Sequence, residues 1–72
     1  PNPATDKFNV LLPSTTTLPV EVEIYDVMGK KVGTHTATKK SFSLEINSLE
    51  KGIYFIKANI ADYNITKKLI VK

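Results

Sequence analysis

The chain has 72 residues, 42% of them hydrophobic and 24% charged, which bounds it to one small domain of ordinary globular composition. It carries no cysteine, which excludes disulfide staples and thiolate metal sites. The net charge of +3 comes from lysines without a single arginine, so the planar fork that reads guanine and clamps phosphate is missing and no nucleic-acid partner is expected.

A domain this small buries only ~60% of the surface of its unfolded chain, so its stability margin is thin. The lysines read as a solvated surface that discourages edge-to-edge strand pairing. No apolar run is long enough to span a bilayer, so no membrane insertion is expected. No signal peptide is seen, and an export address would lie on upstream sequence.

Along the chain, Pro1 to Lys7 reads as an extended entry segment, because Pro1 and Pro3 lack backbone donors and fix φ. Phe8, Val10 and Leu12 alternate with Asn9 and Leu11 in a first strand that Pro13 ends. Val20, Val22 and Ile24 alternate with Glu21 and Glu23, the clearest period-two signal in the chain. The phase breaks at Tyr25, Asp26 and Val27, which a bulge or burial of both faces would explain.

Asp26 to Gly29 predicts a type I turn with Gly29 at positive φ, leading into a strand from Lys30 to about Thr36 with Val32 inward. After the polar Thr38-Lys39-Lys40 loop, Phe42, Leu44 and Ile46 alternate with Ser43 and Glu45. Asn47 to Gly52 predicts a second turn closed by glycine. Tyr54, Ile56, Ala58 and Ile60 then share one face, with Lys57 and Asn59 on the other. Ala61 to Asn64 turns the chain, and Ile65, Leu69 and Val71 are in phase in the last strand. No helical period is sustained. The pattern predicts an all-β, immunoglobulin-like antiparallel sandwich of about seven strands. Matched parity gives it a core of Phe8, Val22, Ile24, Val32, Phe42, Leu44, Ile46, Tyr54, Ile56, Leu69 and Val71.

Residues with reactive chemistry are few. His35, the sole histidine, is expected to point to solvent opposite Val32, and no serine sits in an elbow that would activate it. Among the carboxylates only Glu21 and Glu23 are close in sequence, and they share a solvent face instead of flanking a cleft. Asp62 and Asn64 could give calcium two oxygens where six or more are needed, so they read as turn formers. Asn64-Ile65-Thr66 matches the short glycosylation acceptor pattern. Tyr25, Phe55 and Tyr63 could offer aromatic rings to a sugar, while Tyr54 reads as core. These features imply no catalytic residue, no metal and no cofactor.

Four stretches occur in a characteristic order: Pro1 to Asp6, Val22 to Val32 with its Asp26-Val27-Met28-Gly29 turn, Leu49 to Ile56 around Gly52, and Thr66 to Lys72. In order and spacing they resemble the type A C-terminal sorting domain of the type IX secretion system of Bacteroidota-type bacteria. Met28 departs from the family pattern, where a small or polar residue is more usual.

The resemblance implies a single sorting domain over residues 1–72, carried at the end of a longer secreted cargo protein. It implies passage through the periplasm, recognition by an outer-membrane translocon, and removal by a sortase-like protease at a bond upstream of Pro1. The cargo would then be attached to the cell surface or released. By the same resemblance Lys68, Leu69, Ile70, Val71 and Lys72 form the stretch that the translocon reads; Gly29 and Gly52, from their own turn chemistry, act as shape determinants and not as contacts. The residues themselves add that a terminal strand could pair with a partner sheet, and that its lysines could steer it to an acidic receptor. The rival reading is an adhesion or carbohydrate-binding sandwich appended to an extracellular enzyme.

Overall fold

The computed structural model describes residues 7–60 and 63–72, and the side chain of Tyr63 is also outside what is described. Six strands run β1 (Lys7–Leu11), β2 (Val20–Asp26), β3 (Lys31–Ala37), β4 (Ser41–Glu45), β5 (Gly52–Ile60) and β6 (Tyr63–Val71). They form two antiparallel sheets, one of four strands in the order β3-β2-β5-β6 and one of two, β1-β4. Sequence periodicity led us to expect about seven strands; six are present among the described residues, and the entry segment before Lys7 lies outside them.

The alternation of each strand decides what is buried, because successive side chains point to opposite faces. Val20, Val22 and Ile24 of β2 and Tyr54, Ile56 and Ala58 of β5 face inward. Phe8, Leu12, Leu44 and Ile46 reach them from the β1-β4 side, and Leu69 and Val71 from β6. Phe42 is half-buried and packs against this cluster.

The β2-β3 hairpin follows the expected turn chemistry. The Gly29 amide donates to the Asp26 carbonyl at 3.0 Å, and the Asp26 amide donates to the Lys30 carbonyl at 2.9 Å. Asp26 Oδ1 accepts the amides of Met28 and Lys30, both at 2.9 Å. Gly29 has φ 85°, a conformation that costs glycine nothing and strains any L side chain.

The strand after this turn corrects two expectations. Consecutive Ile24 and Tyr25 lie opposite Gly33 and Lys31, so β3 carries one extra residue, Val32. The bulge reverses the phase that the sequence suggests. Val32 is 38% exposed and outside the core, while Ala37 is fully buried opposite Val20. His35 lies opposite Val22 on the inner face and stacks on Phe42 of the other sheet, with ring centroids 5.1 Å apart. It is a packing residue between the sheets, half-buried, and not a solvent-facing one.

Candidate functional site

The closing stretch Lys68 to Lys72 divides by parity. Leu69 pairs with Tyr54 and is fully buried, and Val71 pairs with Gly52 and is 4% exposed. These two side chains are core. Lys68 and Lys72 are exposed and Ile70 is half-buried, so they are the members of the stretch whose side chains remain readable from outside. Among the described residues β6 is the last strand of the four-stranded sheet, which puts these side chains toward one side of its outer face.

Register extends that face inward. Tyr25, Phe55 and Lys68 form one row across β2, β5 and β6, and Ile53 and Ile70 form the next across β5 and β6. Phe55 is 37% and Ile53 41% exposed. The β2-β3 turn projects beyond the same end of the sheet with Val27 and Met28 in the open. Gly29 closes this turn, and Gly52 stands at the start of β5 opposite Val71. Ile53 and Phe55 were legible as a surface signal, since they are large apolar residues on the parity opposite to Tyr54 and Ile56.

Glu23 organises the adjoining part of the face. Its Oε1 accepts the Tyr25 hydroxyl at 2.8 Å and the Asn59 amide at 3.1 Å, and its Oε2 accepts the Lys31 ammonium at 3.1 Å. The bond from Asn59, then those from Tyr25 and Lys31, hold its carboxyl pKa at about 2, below the ordinary 4.5. The bond that each makes to Glu23 raises the Tyr25 phenol and the Lys31 ammonium above their usual values. Glu23 is thus committed to neighbours on its own sheet, and the Tyr25 hydroxyl is committed to Glu23. Asp62 and the side chain of Tyr63 lie outside the described residues; Asn64 is exposed at the start of β6.

A comparison with protein families matches the secretion system C-terminal sorting domain over residues 1–72. The chain belongs to this family. It is a C-terminal sorting signal of type IX secretion, directing an attached cargo toward the cell surface or the extracellular space. The match does not favour the adhesion or carbohydrate-binding alternative. No curated protein matched the chain. In the sorting domain the two interleaved sets of side chains on β6 have different tasks: Leu69 and Val71 close the sandwich, and the alternate residues face its surroundings.

Proposed function

We propose that the outer-membrane translocon reads the sorting domain through Lys68, Ile70 and Lys72, together with the exposed apolar row beside them. The observation that carries this reading is the burial of Leu69 and Val71 within the same stretch. Their side chains cannot be contacted without opening the core, so a receptor that meets the folded domain has the alternate positions to read. Lysines bordering apolar side chains suit an acidic partner surface, with charge steering the encounter and Phe55, Ile53 and Ile70 supplying contact area.

The single domain, residues 1–72, sits at the end of a longer precursor that passes through the periplasm. A sortase-like protease then cuts upstream of Pro1, and the cargo continues without the signal. The domain acts as a ligand in these steps and not as a catalyst. The test is a reporter protein fused ahead of the domain in a bacterium with this secretion system. The reporter should reach the cell exterior without the domain, as N- and C-terminal sequencing would show. A reporter exported with the domain still attached would contradict removal, and a reporter kept inside the cell would contradict the sorting role of this chain.

A further inference from the structure

Turn tips in water mostly carry glycine, proline, asparagine, aspartate or serine. The tip of the β2-β3 turn carries Val27 and Met28 instead. Met28 is 87% exposed, more than any other large apolar side chain among the described residues, and Val27 is 63% exposed. Neither belongs to the core cluster or packs against it. The fold therefore makes no use of this apolar surface.

Three features say what the tip fits. The amides of Met28, Gly29 and Lys30 already have acceptors, in Asp26 Oδ1, the Asp26 carbonyl and Asp26 Oδ1 again. Covering the tip with apolar matter would leave none of these donors stranded, so the usual penalty for burying a turn is reduced. The same bonds hold both side chains on one fixed frame, and little ordering remains to be done on binding. A bilayer adapts to any shape, whereas a preformed knob suits a pocket of matching shape. The third feature is charge. Asp26 is turned onto the turn amides, and Glu23 onto Tyr25, Asn59 and Lys31. Lys30 is exposed and makes no ion pair among the described residues.

We infer that Val27 and Met28 form an anchor that enters an apolar pocket on the protein that receives the sorting domain, with a carboxylate on the pocket border facing Lys30. Val27 follows Tyr25 by two residues, about 7 Å along the chain, so the anchor adjoins the row of Tyr25, Phe55 and Lys68. The inference rests on the reading that a translocon recognises that face, and it adds a second contact made by the turn and not by β6. The unbranched, polarizable methionine fills an apolar gap without demanding one exact outline, and the lysine sets the sign of the charge that borders it.

The test is a reporter fused ahead of the domain in a bacterium with this secretion system, with the melting temperature of each isolated variant measured alongside. Val27→Ser combined with Met28→Ser should melt like the parent, since neither side chain touches the core, and should cut export about tenfold or more, the effect of losing an anchor. Met28→Gln, which keeps the chain length and loses the apolarity, should also cut export. Met28→Leu, which keeps the apolar volume, should export like the parent. Lys30→Glu should lower export and Lys30→Arg should not. Parental export by the folded serine and glutamine variants would overturn the inference. If Lys68→Ser, Lys72→Ser is retained in the same experiment, the reading of β6 stands and only the anchor falls. A parent reporter kept inside the cell would overturn both. Vesicles of phosphatidylglycerol that bind the parent domain and not the serine variant would overturn the pocket in favour of a lipid surface. A parent dimer that the serine variant loses would overturn it in favour of a second copy.

Discussion

Gly29 carries the tightest backbone requirement in the molecule. Its φ of 85° lies where L side chains are strained, yet an added Cβ would meet nothing within 4 Å. The cost of a substitution is therefore conformational and not steric. Gly29→Val should lower stability by about 1–3 kcal/mol, and Gly29→Asn by less, since asparagine visits this region more readily. Thermal melts of the two variants check the order, and a valine variant as stable as the parent would refute the strain argument.

Glu23 makes a prediction in pH. Its folded pKa, about 2, lies below the ordinary 4.5, so its contribution to stability is complete above 4.5 and is lost as pH falls toward 2. The melting temperature should drop across that window, and Glu23→Gln should drop less. Identical acid profiles for parent and variant would show that the Asn59, Tyr25 and Lys31 bonds contribute nothing there. The turn at Gly29 was legible because aspartate and glycine each have one mechanical role at those positions. The Glu23 hub was not, because Asn59 is 36 residues away and only the β2-β5 register brings it alongside.

At the scale of elements, the two sheets differ in how well each strand is supported. β2 and β5 have hydrogen-bonded neighbours on both sides, while among the described residues β1 and β4 have only each other. Native-state hydrogen exchange should therefore find β1 and β4 opening at lower free energy than β2 and β5. Uniform protection across both sheets would mean that the sandwich opens only as a whole.

Strand phase was readable wherever three apolar residues alternate, as in Val20-Glu21-Val22-Glu23-Ile24 and in Tyr54 to Ala58. It was misread in β3, where Val32 is the only large aliphatic residue and a one-residue bulge shifts everything after it. Ala37, small but fully buried, held the correct phase of that strand. The pairing of β1 with β4 was not readable either, because contact between strands so far apart depends on the whole topology and not on local pattern.

For the whole molecule, one strand belongs to the core and is also, in the proposed reading, the element that is recognised. Removing β6 would take Leu69 and Val71 out of the core, and truncating a buried leucine alone costs about 2–5 kcal/mol. Loss of export after deletion would thus say little about what is read. The stretch 68–72 reads in the sequence as a strand, and the family resemblance implies that it is the recognised segment. Its division into core and outward residues needed the β5-β6 register.

That division gives the direct test of the account. Lys68 and Lys72 are both exposed, and changing both to serine should shift stability by about 0.5 kcal/mol or less each. The measurement is export of a reporter fused ahead of the Lys68→Ser, Lys72→Ser domain, with the melting temperature of the isolated variant recorded alongside. The account predicts a domain that melts like the parent while its reporter accumulates in the periplasm. Export at the parental level by a domain of unchanged stability would contradict it, and would move recognition to another face of the sandwich.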